Sequence, residues 1–287
     1  MRLPAIFPQI AQSVLRVVLC AAGIAAPGCK SAVDFEKAMA PSNERDWAVD
    51  QQRLPLAEFG KDGNSVTVRN IRNCSYITGD TFVIDYYDDT FPLDDVRSVD
   101  YFVVPFTAMP SLAHTMISFG MADGRYLGVS VEVRKEAGET YSPLRGIMRQ
   151  YEIMYVVADE RDMIQLRTHA RGDQVYLYRT KATPEIAQKM FVEVMRRANK
   201  LAEEPEFYDT LVNNCTTNIA DHVNELAPGR VPYDYRLMLP GLSDRLLYDV
   251  GLIDTSAPFE DVKRRSNITA KARQFDRHPE FSRLIRR

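Results

Sequence analysis

The sequence predicts an α+β fold, a mostly antiparallel sheet with helices packed on one side. Three observations predict it. Residues 65–179 hold a succession of short β-rich runs. Asp123-Gly124 joins two alternating apolar runs, residues 112–121 and 126–135, which is a strong hairpin signal. From Pro184 the apolar period changes from two to that of a helix, with Ile186, Met190, Phe191, Val194 and Ala198 on one face. Strands first and helices later is the α+β order.

The elements follow in sequence. Residues 1–28 read as an export signal: Arg2 and Arg16 precede an apolar stretch, residues 17–28, too short to span a bilayer. It ends Ala26-Pro27-Gly28-Cys29-Lys30, similar to a bacterial lipobox, so Cys29 is the residue a lipid anchor would take. Cleavage without an anchor and an uncleaved anchor are the other outcomes. The protein is thus expected in the periplasm or cell envelope. Residues 29–53 read as a polar linker, residues 54–255 as the folded domain, and residues 256–287 as a basic tail.

Within the domain, residues 65–71, 81–87 and 99–106 are strand-like, then come the two hairpin arms, then residues 150–158 and 174–179. Residues 184–203 form a helix with Thr183 as cap and Pro184 in its first turn. A second helix starts at Cys215 and ends at Pro228-Gly229, and a short third covers residues 242–250. The tail is expected to be loosely ordered, with Phe275, Phe281, Leu284 and Ile285 available to dock. Arg134-Lys135-Glu136 and Asp159-Glu160-Arg161-Asp162 read as solvated faces.

Charge and cysteine content bound the function. The net charge is −3, but nine Lys/Arg and two Asp/Glu from residue 263 onward give that tail +7 and leave −10 for the rest. No nucleic-acid partner is expected; a membrane surface is the partner a basic tail suggests. Four cysteines, two of them (Cys20 and Cys29) in the N-terminal segment, are too few for a disulfide framework. A Cys74–Cys215 bridge would silence the thiol, and otherwise Cys74 is an ordinary small apolar residue. No metal or cofactor is expected, since neither a CxxC nor an HExxH pattern occurs.

The chemistry centres on Asn213-Asn214-Cys215-Thr216-Thr217-Asn218. A cysteine at a helix start meets free backbone N–H groups and the positive end of the helix dipole, which favour thiolate. Alone, a cysteine before a helix is more often structural than catalytic, and the asparagines would serve as ordinary caps. A base must come from four histidines. His222 lies about 10 Å along the same helix, too far for a hydrogen bond. His278 lies in the tail, and His169 in a turn-like, charged stretch. His114, early in a central strand, remains as base toward Cys215. A two-residue hairpin turn would pair positions summing to 247; a bulge or one-residue slip gives 246 and places Glu132 opposite His114, Ser130 opposite Met116 and Gly128 opposite Ser118. The second register is preferred because it leaves Thr115, Ile117, Phe119, Val129, Val131 and Val133 as one packed face. Glu132 or Ser130 is then the group that orients the imidazole, unless Glu132 simply faces solvent.

These blocks resemble a known family. Ala113-His114-Thr115 with Ser118-Phe119-Gly120, residues 129–136, Arg149-Gln150-Tyr151-Glu152, residues 155–162, residues 213–218 and Leu239-Pro240-Gly241 together resemble the Lnb N-terminal periplasmic domain family over residues 47–253. Its named member is a bacterial lipoprotein N-acyltransferase. A histidine strand before a cysteine helix is similar to the circularly permuted papain-like enzymes, lecithin–retinol acyltransferase among them.

The resemblance implies Cys215 as nucleophile and His114 as base, with Glu132 or Ser130 as orienter. It implies acyl transfer through a thioester, from a membrane phospholipid to a lipoprotein N-terminus. The N–H groups of Cys215 and Thr216 would hold the oxyanion, with the Asn214 side chain as a further donor. A cysteine peptidase or amidase acting on an envelope peptide is the alternative, and a non-catalytic envelope binding module the third reading.

Overall fold

The computed structural model describes residues 40–78 and 81–287. The expected signal segment, Cys20 and Cys29 lie outside them. Residues 41–287 form one compact unit. Its strands are β1 (Leu56–Phe59), β2 (Ser65–Arg72), β3 (Ser75–Tyr76), β4 (Phe82–Val83), β5 (Tyr86–Pro92), β6 (Val96–Phe106), β7 (Met109–Met121), β8 (Tyr126–Arg134), β9 (Glu152–Asp159) and β10 (Tyr176–Arg179). The eight described helices are α1 (Pro143–Ile147), α2 (Glu160–Gln165), α3 (Pro184–Glu203), α4 (Cys215–Leu226), α5 (Ser243–Asp249), α6 (Phe259–Ser266), α7 (Thr269–Gln274) and α8 (Phe281–Leu284). None of them is long and apolar enough to cross a membrane.

Eight strands make the main sheet, in the order β1-β2-β9-β8-β7-β6-β10, with β5 also on β2; β3 and β4 pair separately. Every pairing is antiparallel except the single parallel bridge Arg72↔Ala158, so the fold is α+β. The Asp123-Gly124 turn joins β7 to β8, with Gly124 at φ +87°, a conformation glycine adopts without steric cost. The register is Met116↔Ser130, Ser118↔Gly128 and Gly120↔Tyr126, the slipped one that the packed face demanded. A one-residue shift would have moved all the valines of β8 to the other face.

Helices α3 and α4 cover one face of the sheet, where Ile117, Phe119, Val129 and Val131 meet Phe191, Val194 and Ile219. Thr183 caps α3 by accepting from Ile186 N, and Pro184 occupies its first turn. The other face, with Phe102, Val104 and Met116, is covered by Met163 of α2 and by Ile268, Ala272, Phe281 and Ile285. The tail is therefore ordered. Phe281 and Ile285 are each 1% exposed, and the neighbouring Arg286 donates to Asp100 Oδ2 at 2.7 Å and to Glu160 Oε2 at 2.8 Å.

Both acidic and basic runs expected at the surface are partly interior. Glu160 pairs with Arg286; Asp162 accepts from Arg72 Nε at 3.1 Å and Nη2 at 2.9 Å, and from Cys74 N at 2.6 Å. Arg134 is buried, lies 4.2 Å from the Trp47 ring centroid and donates to Gln51 O and Gln52 O. That contact draws Trp47 and Gln51 of the expected linker into the packed unit. The correction has one physical source: each buried charge has a partner distant in sequence, which makes its burial tolerable.

Replacing Arg286 by Ala leaves Asp100 and Glu160, 1% and 0% exposed, as unpaired buried carboxylates. The expected loss is about 3–5 kcal/mol of unfolding free energy, to be read from urea denaturation midpoints.

Candidate active site

Cys215 is the first residue of α4 and is 2% exposed. A full capping box fixes that helix start. Asn214 Oδ1 accepts from Thr216 N at 2.8 Å and Thr217 N at 2.9 Å, while Asn214 N donates to Thr217 Oγ1 at 2.9 Å. The Asn214 amide nitrogen donates to Thr210 O at 2.9 Å and Leu237 O at 3.3 Å. So the Asn214 side chain and the Thr216 N–H, both expected as oxyanion donors, are committed to the helix start and its surroundings. The Cys215 N–H has no partner among the described residues, as the first donor of a helix ordinarily lacks one.

The helix start is tied to the histidine strand by a hydrogen bond between Thr216 Oγ1 and Thr115 Oγ1 at 3.0 Å. Below it, Gly241 lies against the start of β7: a Cβ there would stand 1.9 Å from Pro110 O. Only glycine permits that approach, and it seats the Leu239-Pro240-Gly241 block beneath the strand carrying His114.

His114 is 8% exposed on β7. Its Nε2 lies 2.6 Å from Ser130 Oγ and 3.7 Å from Glu132 Oε1. Ser130 Oγ donates to Glu132 Oε1 at 2.9 Å, and Arg167 Nη2 donates to the same oxygen at 3.0 Å. These bonds fix the tautomer. Burial alone would raise the Glu132 pKa, but the charge of Arg167, with those of Arg72 and Arg171, holds it well below the usual carboxylate range. An ionised carboxylate only accepts, so the one hydroxyl proton of Ser130 goes to Glu132. Ser130 Oγ must then accept from His114 Nε2–H. The proton-free nitrogen of the neutral ring is Nδ1, the form a general base requires.

The β7–β8 ladder ends at Met116↔Ser130, although both strands continue. Past that point β7 stays paired with β6 through Ala113 and β8 with β9 through Arg134. A cavity of about 130 Å³ has walls from both arms of this fork, His114 on one and Glu132 on the other, and Cys215 lines it too. The fork brings together an imidazole on one face of the sheet and a thiol on a helix packed against the opposite face. Cys74 is free and lies elsewhere, as does His222, which bonds Tyr155.

The chain's other sequence features match a described family. The family model described as Lnb N-terminal periplasmic domain matches residues 84–241, more than half of the chain. The chain belongs to that family. The match spans β5 to the Gly241 contact and so includes every residue of the cavity. No curated protein and no solved structure matches the chain.

Among the cavity residues, Tyr141, Arg167, Arg171 and Tyr208 were not expected at the site, and Lys135 was expected on a solvated face. Arg167 and Arg171 flank the Thr168-His169-Ala170 stretch, which is not a turn. It belongs to a π-helix, Leu166–Ala170, that continues α2. Two arginines four apart were the available clue, since that spacing puts them on one side of a helix. Burial and then the neighbouring Cys215 sulfur push the Tyr208 phenol up; burial, and less strongly that sulfur, do the same for Tyr141. Both therefore stay protonated beside the thiol.

Burial, with the nearby Arg167 charge, lowers the His114 pKa from 6.5 to about 3. In the unfolded chain His114 takes its proton near pH 6.5, whereas the folded chain resists until about pH 3. His114 therefore favours the folded state fully above pH 6.5, and that contribution falls away toward pH 3. Denaturation midpoints should drop across this window, and His114→Gln should flatten the drop. Ser130→Ala should slow Cys215 alkylation by iodoacetamide about tenfold at neutral pH, the worth of one positioning hydrogen bond.

Proposed function

We propose that this chain is an envelope thiol acyltransferase that takes a fatty acyl group from a phospholipid and passes it to an amine, with a lipoprotein N-terminus as acceptor. The observation that carries this reading is the convergence of Cys215 with a His114–Ser130–Glu132 relay in one cavity. Membership in the Lnb N-terminal periplasmic domain family supports an envelope setting and a link to lipoprotein processing.

His114 Nδ1 takes the Cys215 proton, and the thiolate attacks the ester carbonyl carbon. The Cys215 N–H faces the oxygen on which charge develops, with a protonated tyrosine of the cavity as a second donor. The imidazolium, held through Nε2 by Ser130, gives its proton to the departing alcohol oxygen as the C–O bond breaks. A thioester remains. The acceptor amine attacks it, loses its proton to His114, and the thiol is restored when that proton returns to sulfur. Water in place of the amine would make the same residues a hydrolase.

Incubation with phospholipid vesicles should add one fatty-acyl mass to the Cys215 peptide by mass spectrometry. The adduct should vanish in Cys215→Ala and fall steeply in His114→Gln. Adducts formed only from peptide substrates would replace this reading with a cysteine peptidase. A thiol that alkylates no faster than a free cysteine would replace it with a binding module.

A further inference from the structure

We propose that Lys135, Arg167 and Arg171 form an anion subsite beside Cys215, which takes the phosphoryl group of an acyl donor. Three cationic side chains line the cavity against one carboxylate, Glu132. Arg167 is almost wholly buried, its side chain 4% exposed, and it spends Nη2 on Glu132. Its Nε is buried and has no hydrogen-bond partner among the described residues. The side chains of Lys135 and Arg171 have no hydrogen bond or ion pair to any described residue.

The charges leave a remainder. Arg72 is matched by its own buried partner, Asp162. Glu132 and Asp173 are the carboxylates that act on Arg167, and Asp173 acts on Arg171 as well. Those two carboxylates answer the two arginines and leave the charge of Lys135, which has no ion pair to any described residue, as a positive excess that a phosphodiester would meet. Guanidinium groups suit phosphate because their parallel N–H donors match two oxygens at once. At about 30 Å³ per water, the cavity of about 130 Å³ has room for about four waters. That admits a phosphate and the adjoining ester while leaving the acyl chains outside.

This inference rests on the thiol acyltransferase reading, and the experiment separates the two. Binding of inorganic phosphate and of glycerol 3-phosphate is measured by calorimetry on Cys215→Ala, alone and with Arg171→Gln or Lys135→Gln. Acylation of Cys215 is measured on the otherwise native chain, with and without the same two changes. Phosphatidylglycerol and a diacylglycerol of the same chains serve as donors in neutral detergent micelles. The expected result is glycerol 3-phosphate binding weakened about tenfold by either change. Acylation should favour the phospholipid, and the preference should disappear in both variants. Equal acylation from both donors, unmoved by the variants, overturns the subsite. Phosphate binding lost in the variants with no donor preference assigns the cations to a free anion and overturns the donor role. Variant-sensitive binding of glycerol 3-phosphate with no acylation from either donor keeps the subsite and removes the acyltransferase reading. Arg171 is exposed, so its variant should keep the native thermal midpoint.

Discussion

The partly buried carboxylate of Glu132 governs the candidate site. It stands between the Arg167 guanidinium and the Ser130 hydroxyl, and its ionisation sets each proton in turn. Because it can only accept, Ser130 donates; because Ser130 has a single proton to give, His114 donates from Nε2. The basic nitrogen is thereby chosen two hydrogen bonds away from the carboxylate. A hydroxyl between acid and imidazole transmits orientation while keeping the carboxylate 3.7 Å from the ring. At that distance Glu132 steadies a positive imidazole electrostatically and is not positioned to take its proton.

The same device recurs away from the site. Arg72 with Asp162, and Arg286 with Asp100 and Glu160, each join a helix to the sheet through buried charges. Buried pairs of this kind are weak evidence of net stability, because desolvation offsets their attraction. What they do impose is placement. Asp162 and Glu160 sit in α2 and are held by β2 and by the last helical turn, so the π-helix that follows α2 is set in register with β8. Arg167 meets Glu132 as a result. A π turn, which adds a residue to the helical repeat, is often found at functional positions, and here it carries the guanidinium that keeps the carboxylate charged.

Much of this was legible in the sequence, and the limits are physical. The Asp123-Gly124 turn and the valines of β8 determine the hairpin register, because the alternation has one consistent packing. Thr183-Pro184 determines the start of α3 through local capping alone. Cys215 was picked out by its place at a helix start and His114 by elimination of the other histidines, and the two line one cavity. What could not be read was the burial of Arg134, Glu160 and Asp162 and the partial burial of Glu132. A charged side chain in a sequence looks solvated unless its partner is known, and these partners lie 35 to 126 residues away. Asn214 shows the converse. Its side chain suits both a cap and an oxyanion donor, and only the structure shows its oxygen committed to the cap and its amide nitrogen to the Thr210 and Leu237 carbonyls.

The fork in the sheet has a mechanical meaning. Each of its arms belongs to an unbroken ladder, β7 to β6 and β8 to β9. Moving His114 relative to Glu132 would require shearing one ladder along its neighbour, a change involving many backbone hydrogen bonds at once. The relay is thus as stiff as the sheet itself. The thiol, at 2% exposure, is stiffly held and poorly reached. On the proposed function, a substrate then needs motion elsewhere in the protein to arrive and depart, and the proton path can remain still while it does.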